Sequence, residues 1–195
     1  MEQLLNFLNS IFPLSPEIQD HLLRIIRMKE FNRREFLLKA GHFSRHIYFI
    51  EKGLVRCFYM IADKDISAWF MKEGDVVVSV NSFFCQSPSA EYIQALEVTR
   101  AYYISYDELE ELYKQFTIFN IHGRIVLTRY YCLSEQRAIS MRSLKAKERY
   151  AYLLNHQPEL FQRVPKKYLA SYLGVTEATL SNINNKSSHK LKPVL

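Results

Sequence analysis

Residues 166–183 read KKYLASYLGVTEATLSNI. The apolar residues of this stretch recur at the three- and four-residue spacing of helices, both before and after Gly174. A glycine allows the positive φ of a tight turn, and the small side chain of Ala170 lets two helix backbones approach each other. The stretch therefore predicts two short helices joined at Gly174, with facing surfaces formed by Leu169, Leu173, Val175, Leu180 and Ile183.

The outward face of these helices separates two interpretations. An αα-hairpin packed into a core has the same apolar spacing, but the intervening residues here are short hydrogen-bonding side chains of the type that reach base edges in a major groove. Lysines, which contact phosphates, flank them. We interpret the segment as a helix-turn-helix that binds double-stranded DNA, with Thr176 capping the second helix. The predicted DNA-binding residues are Lys166, Lys167, Thr176, Glu177, Thr179, Ser181, Asn182, Asn185 and Lys186.

Positive charge is concentrated in the second part of the chain. Residues 1–120 contain 13 Lys and Arg against 16 Asp and Glu, whereas residues 121–195 contain 13 against 4, so the net charge goes from −3 to +9. This division is typical of an acidic module followed by one that meets a polyanion, although a solvated basic face would have the same composition.

Composition and cysteine spacing restrict the class of protein. The 195 residues are 48% hydrophobic and 24% charged, which is typical of globular domains. Cys57, Cys85 and Cys132 are widely spaced, which argues against a disulfide framework and a thiolate metal cluster. The chain has no apolar run of about 18 residues and no basic leader, so we expect a cytoplasmic protein without membrane contact.

Residues 31–105 consist of short runs rich in Tyr, Phe, Val and Ile, separated by turn residues such as Gly41, Gly53 and Gly74. Their spacing leaves no room for crossover helices, so we expect a β-sandwich or barrel rather than a parallel α/β sheet. The predicted strands are Ile47–Ile50, Leu54–Ile61, Ser67–Met71, Val76–Val80, Tyr92–Leu96 and Ala101–Ile104.

Helical patterns lie on both sides of these strands. Ser15, followed by a proline, predicts a helix start before them, and Ser105 with Glu108 predicts a capping box after them. Residues 117–157 lack proline and contain one glycine, which favours one or two long helices. A stripe in this region indicates a dimerisation helix, although it could equally pack on its own barrel. The stripe consists of Ile118, Ile121, Ile125, Thr128 and Cys132.

The order of these elements resembles that of the Crp/Fnr transcription regulators. Residues 47–56, IYFIEKGLVR, are similar to the family's hairpin around a glycine turn. Residues 70–75, FMKEGD, are similar to its later glycine–aspartate turn, and residues 176–183 are similar to the start of its recognition helix. The resemblance implies an α+β homodimer that regulates transcription. It implies an N-terminal double-stranded β-helix (jelly-roll) domain of the cyclic-nucleotide-binding type over residues 1–116, a long dimerisation helix over 117–140, and a winged helix-turn-helix domain over 141–195.

The predicted ligand site departs from this family. Members that bind cyclic AMP hold its ribose with a glutamate and its phosphate with an arginine, and the corresponding stretches here, residues 78–84 and 88–90, contain neither. A buried phosphate without a cation is unfavourable, so we expect that cyclic AMP is not the ligand. An unidentified small-molecule effector would lie against Val78, Ser79, Phe83, Phe84, Ser89 and Ala90.

We expect no cofactor. The family's iron–sulfur branch needs four cysteines, and this chain has three. A haem branch would need an axial histidine, and the candidate pair, His42 and His46, falls in a predicted loop, where histidines are more often exposed than bound to a metal. A cupin-like metalloenzyme is an alternative, although four of the predicted strands, Leu54–Ile61, Ser67–Met71, Val76–Val80 and Tyr92–Leu96, contain no histidine. A second alternative function is that of a ligand-free dimeric scaffold.

The predicted DNA-binding end departs from the family as well. Relatives usually carry arginines on the recognition helix, where this chain has Glu177, Ala178 and Asn182, so base contacts are expected to favour adenine over guanine. Only ten residues follow Asn185, which is short for a complete β-wing.

Overall fold

The computed structural model describes residues 1–188, with side chains placed to residue 185, as an α+β protein. Its strands are β1 (Arg27–Phe31), β2 (Phe36–Leu38), β3 (His46–Lys52), β4 (Val55–Ile61), β5 (Lys64–Met71), β6 (Val76–Val77), β7 (Glu91–Ala95) and β8 (Thr99–Ser105). Its helices are α1 (Glu2–Ile11), α2 (Pro16–Ile25), α3 (Val80–Phe84), α4 (Tyr106–Gln115), α5 (Asn120–Ser143), α6 (Ala146–His156), α7 (Leu160–Arg163), α8 (Lys166–Leu173) and α9 (Glu177–Ser188), with a 3₁₀ turn at Thr117–Phe119 before α5.

The strands form a β-roll of two four-stranded antiparallel sheets, in the orders β1-β8-β3-β6 and β2-β7-β4-β5. Side chains from both sheets meet in one apolar core, and Ile50, Val55, Val77 and Ala101 within it are completely buried. The β-roll confirms the predicted sandwich or barrel, because consecutive strands are connected without crossover helices.

Five of the predicted strands coincide with β3, β4, β5, β7 and β8 to within a few residues at their ends. The prediction for Val76–Val80 was wrong in its second half, because the chain leaves the sheet after Val77 and Val80 begins helix α3. Strands β1 and β2 were not predicted. In β1 only Phe31 is buried, so the apolar alternation that marks a strand is missing there.

Gly53 lies in the turn between β3 and β4, with φ of +107°. A Cβ atom there would lie 2.6 Å from Cα of Thr99, which no side chain could relieve. The Gly53 N–H also donates to Oε1 of Glu73 at 2.7 Å. Glycine is therefore required both by the backbone angle and by the close approach of the β7–β8 turn.

The predicted helix starts are confirmed. Ser15 Oγ accepts from Ile18 N–H at the start of α2, and Ser105 and Glu108 form a reciprocal capping box at the start of α4. Residues 117–157 form α5 and α6 after the 3₁₀ turn, as expected. Helix α1 was not predicted, and it packs with α2 and α4 against the β-roll through Leu4 and Leu8.

The last helices share an apolar cluster that continues into the β-roll. Leu153 of α6, Leu169 and Leu173 of α8, and Leu180 of α9 are buried in this cluster together with Phe70 of β5. Helix α8 ends at Gly174, which has the left-handed values φ 65° and ψ 40°. The glycine turn and the apolar contacts are those that the spacing of residues 166–183 predicted.

Helix α8 lies directly on strand β5. Oγ of Ser171 accepts a hydrogen bond from Ser67 N–H at 2.9 Å and donates to the carbonyl oxygen of Asp65 at 2.9 Å, so a side chain of the helix completes hydrogen bonds of the sheet edge. This contact joins the C-terminal helices to the β-roll by a specific register rather than by apolar packing alone.

Arg56 of β4 lies beside this contact with 1% of its side chain exposed. Its guanidinium carbon is 3.9 Å from the ring centre of Phe58 and 3.6 Å from that of Tyr168 on α8. NH2 of Arg56 donates to Asp65 Oδ2 at 2.7 Å. The arginine is thus held between an aromatic ring of the β-roll and one of α8.

We expect Arg56→Ala to lower the free energy of unfolding by about 3 kcal/mol, because it leaves Asp65 without its cation and opens space between the two rings. Urea denaturation at pH 7 measures the change. Arg45→Ala, at an exposed arginine of the same β-roll, is the control and should change stability by less than about 0.5 kcal/mol. Equal effects of the two variants would contradict a structural role for Arg56.

Candidate functional site

The first turn of α9 is capped as its sequence predicted. Thr176 Oγ1 accepts from Thr179 N–H at 3.1 Å and lies 2.9 Å from Thr179 Oγ1. Ser181 Oγ donates to the carbonyl oxygen of Glu177 at 2.7 Å. These hydroxyl groups therefore stabilise the helix, whereas the amide groups of Asn182 and Asn185 are exposed on its surface.

Two lysines begin the preceding helix of the pair. Lys166 and Lys167 occupy the first two positions of α8, and both are exposed. Glu177 is exposed at the start of α9. Lys186 belongs to α9, but its side chain lies outside the described part, as do residues 189–195 with Lys190, Lys192 and the expected wing. We call the surface of Lys166, Lys167, Thr179, Asn182 and Asn185 the α9 face.

The opposite side of this helix pair is fixed by arginines. NH2 of Arg137 donates to the carbonyl oxygen of Tyr172 at 2.9 Å, and Nε of Arg149 donates to that of Leu173 at 2.9 Å. Both carbonyl groups belong to the last turn of α8, where cations are favourable because the helix dipole is negative. Tyr150 of α6 donates to Asn184 Oδ1 at 2.8 Å and so holds α9.

The segment before α8 is bound to the β-roll through charges. Arg163 donates to both carboxylate oxygens of Glu73, at 2.8 and 2.9 Å, and it also pairs with Glu97. Lys72 forms a second ion pair, with Glu159. Burial alone would raise the pKa of Glu73, but the hydrogen bonds from Arg163 and Gly53 outweigh it and lower the pKa to about 2.

A cavity of about 570 Å³ opens between the β-roll, α1 and α5. Of the predicted pocket residues, Val78, Phe84 and Ala90 line it, whereas Phe83 is completely buried against Phe84 and Tyr106. Ser79 and Ser89 lie behind the wall, where their hydroxyl oxygens are 3.0 Å apart. Cavity residues that the sequence reasoning missed include Cys57, Tyr59, Trp69 and Glu91.

Strand pairing explains why these missed residues line the cavity together. Tyr59 of β4 is opposite Glu91 of β7, and Cys57 of β4 is opposite Trp69 of β5, so all four belong to one face of a sheet. Period-two alternation within β4 places Cys57 and Tyr59 together, but a glutamate on an inward face has no signal in the sequence alone.

The polar groups on the cavity wall are mostly neutral or acidic. Among the described residues that line it there is no lysine and no arginine, and Glu91 is the only carboxylate. Burial raises the pKa of Glu91, against the opposing effect of the Ser79 and Tyr59 hydroxyl groups. Glu91 forms no ion pair with any described residue.

His122 of α5 lies at the other end of the wall and is 2% exposed. Its Nε2 is 3.0 Å from the carbonyl oxygen of Phe12, to which it donates, and its buried Nδ1 has no hydrogen-bond partner in the described part of the chain. Burial lowers the pKa of His122, and backbone hydrogen bonds only partly oppose this effect.

Helix α5 leaves most of its surface uncovered. It is 24 residues long, and His122 is its one buried residue. Ile121 and Ile125 of the predicted stripe are half-buried, whereas Ile118, Thr128 and Cys132 are exposed. The sequence reasoning missed Leu127 and Tyr131, which are 44% and 66% exposed, although their four-residue spacing places them on one helix face.

Two other kinds of feature are absent from the described residues. They contain no group of three or more His, Cys, Asp or Glu side chains arranged to hold a metal ion. No helix among them is both long enough and apolar enough to cross a bilayer.

Comparison with known proteins gives one family match. Residues 28–116 match the model of the cyclic nucleotide-binding domain. No curated protein matches the chain.

Solved structures match nearly the whole chain. FixK2 from Bradyrhizobium japonicum has a TM-score of 0.73 at 16% identity, over 85% of this chain and 86% of that one. CLP from Xanthomonas campestris, described as a c-di-GMP-responsive global regulator, has a TM-score of 0.68 at 16% identity, over 90% of this chain and 93% of that one. A CooA mutant from Carboxydothermus hydrogenoformans has a TM-score of 0.68 at 18% identity, over 93% of this chain and 83% of that one. At these identities the likeness shows the fold.

The Glu73–Arg163 pair predicts a specific dependence on pH. Because the pKa of Glu73 is lowered by folding, its contribution is present above about pH 4.5 and is lost as the pH falls toward 2. Glu73→Gln should lower the free energy of unfolding at pH 7 by about 1 kcal/mol after solvent screening, and the difference from the unmodified chain should vanish near pH 2. Urea denaturation at several pH values measures this. Glu111→Gln, at an exposed glutamate of α4, is the control, and a difference that persists unchanged at low pH would contradict the prediction.

Proposed function

Because residues 28–116 form a cyclic nucleotide-binding domain and the chain has the fold of Crp/Fnr-type regulators, we propose that it is a homodimeric transcription regulator that binds double-stranded DNA in the cytoplasm. In this proposal α8 and α9 form the helix-turn-helix, α5 forms the dimer interface, and the cavity of the β-roll receives an effector.

The observation that carries the proposal is the α9 face. Thr179, Asn182 and Asn185 follow each other at three-residue intervals, which makes them neighbours on the helix surface. The 12 residues of α9 correspond to about 18 Å, which is long enough to lie in a major groove. Asparagine binds adenine through two hydrogen bonds, so these side chains would read A·T pairs.

The charges near α9 are suited to the DNA backbone. Lys166 and Lys167 are exposed and form no ion pair with a described residue, so they are available for phosphates. By contrast, the nearby cation Arg163 is occupied by Glu73 and Glu97. Two free lysines in each subunit would give a symmetric dimer at least four backbone contacts.

A second copy of the chain is the partner proposed for α5. At 1.5 Å per residue the helix is about 36 Å long, and its exposed Leu127 and Tyr131 present an apolar surface without a partner in one subunit. A twofold axis along this helix would bring two α9 helices to the same side of the dimer. Two α9 faces about one turn of DNA apart would then read a palindromic site.

The proposed effector site lies where the β-roll meets α5. Val126 and Tyr130 of α5 line the cavity together with strand residues, so a ligand would contact both parts. Tyr130 Oη accepts from Val76 N–H at 2.8 Å and donates to Asp75 Oδ1 at 3.3 Å, which connects the helix to the β5–β6 turn. Because no lysine or arginine among the described residues lines the cavity, the effector in this proposal is not cyclic AMP.

Selection from a random duplex library, followed by fluorescence anisotropy on the selected sequence, tests DNA binding. We expect a two-part symmetric sequence rich in A·T pairs, bound more tightly than random DNA by a factor of 10³ or more. Asn182→Ala should weaken binding to this sequence by roughly tenfold and leave binding to random DNA unchanged, because it removes base contacts only.

The lysine variants separate backbone contacts from base contacts. Lys166→Ala/Lys167→Ala should weaken binding to both DNAs and lower the salt dependence of affinity, whereas Lys114→Ala, at an exposed lysine of α4, should change neither. If the library yields no preferred sequence and binding is micromolar and salt-sensitive on every duplex, the chain is not a specific regulator.

Sedimentation equilibrium tests the dimer. Tyr131→Glu should shift the chain from dimer to monomer, because it places two charges in a desolvated interface. The control is Gln136→Glu, which adds the same charge about 140° away around α5 and should leave the dimer intact. A monomeric unmodified chain at micromolar concentration, or a dimer that Tyr131→Glu leaves unaffected, would contradict the proposed interface.

A further inference from the structure

The cavity has the charge pattern of a site for a cation. Its only carboxylate, Glu91, extends from the first residue of β7 and has no ion-pair partner among the described residues. The groups that hydrogen-bond it, the hydroxyls of Ser79 and Tyr59, are neutral, so a charge on this half-buried carboxylate has no counterion, and a ligand that brings a cation would supply one. The unpartnered Nδ1 of His122, at the far end of the same wall, is also a hydrogen-bond acceptor when Nε2 donates to Phe12.

Aromatic rings line the same cavity as this carboxylate. Tyr59 is directly opposite Glu91 across the strand pair, and Trp69 lies on the same sheet face. Tyr48 and Tyr103, with ring centres 5.8 Å apart, come from the opposing sheet and also line the cavity. The electron-rich faces of tryptophan and tyrosine attract organic cations, and the attraction strengthens when water is excluded.

The geometry points to an apolar organic amine as the ligand, with its ammonium group at Glu91 between the aromatic rings and its apolar body in the cavity toward α5. The volume of about 570 Å³ is within the range of pockets that enclose a small organic molecule. This inference names the ligand class of the site proposed above and rests on that proposal only for the ligand's role as an effector.

The same lining excludes anions. A carboxylate or phosphate at this position would meet Glu91 instead of a lysine or arginine, and both charges would be desolvated together. An alcohol of the same shape could donate one hydrogen bond to Glu91 but would lack the ionic and cation–π attraction. Binding affinity should therefore decrease from the amine to the alcohol and from the alcohol to the carboxylate.

The chain contains its own probe, because Trp69 is its single tryptophan and lines the cavity. Titrations followed by Trp69 fluorescence would use 4-phenylbutylamine, 4-phenylbutan-1-ol and 5-phenylpentanoate, which share a phenyl ring with four methylene groups, and cyclic AMP. We expect the amine to bind at least tenfold more tightly than the alcohol and at least a hundredfold more tightly than the carboxylate, and cyclic AMP to cause no saturable change.

Glu91→Gln should weaken binding of the amine to the level of the alcohol and leave the alcohol unchanged, whereas Glu111→Gln should change neither affinity. If Glu91→Gln does not fold, the order of the ligand affinities on the unmodified chain still tests the inference. Amine binding no tighter than alcohol binding, tight binding of the carboxylate or of cyclic AMP, or the absence of any saturable response would each overturn the inference. Because these titrations contain no DNA, a chain that binds the amine but selects no duplex would refute the regulator proposal and support the amine site.

Discussion

The contact between α8 and β5 holds the molecule together as one functional unit. The apolar cluster around Phe70 and the ion pairs of Arg163 also join the β-roll to the C-terminal helices, and this contact adds directional hydrogen bonds to them. Ser171 satisfies a sheet-edge N–H and carbonyl at once, and Arg56 fills the space between Phe58 and Tyr168. Because Arg56 is almost completely buried and its Nε has no partner in the described residues, its burial is favourable only where both rings and Asp65 surround it. Such a contact selects one position of α8 on the sheet.

This contact also orients the α9 face. Helix α8 rests on the β-roll with one side, its C-terminal carbonyl groups are bound by Arg137 and Arg149, and α9 follows after the left-handed residue Gly174. Thr179, Asn182 and Asn185 of the α9 face remain exposed in the docked arrangement. An effector in the cavity would contact α5, and the same helix carries Arg137 at its other end. Helix α5 thus contacts both the cavity and, through Arg137, the end of α8.

Much of this arrangement was predictable from the sequence, and the failures have physical reasons. The glycine turn at Gly174 and the capping box at Ser105 are local, since a few neighbouring residues determine them. Strand β1 was missed because only Phe31 in it is buried, and Val80 was assigned to a strand because it ends a valine-rich run, a composition typical of strands. Arg56, Ser171 and Glu91 could not be predicted, because their roles depend on residues that only the fold brings near, such as Tyr168, 112 positions from Arg56, and Ser67, 104 positions from Ser171. The DNA-binding residues and the effector pocket remain predictions.

Hydroxyl-radical footprinting of the selected duplex tests the central claim most directly. If two α9 faces of a symmetric dimer lie in successive major grooves, cleavage should be suppressed in two windows centred about one helical turn apart on one side of the duplex. Asn182→Ala should reduce both windows together. A single window, uniform protection along the duplex, or no protection would contradict a dimer that reads DNA with this helix.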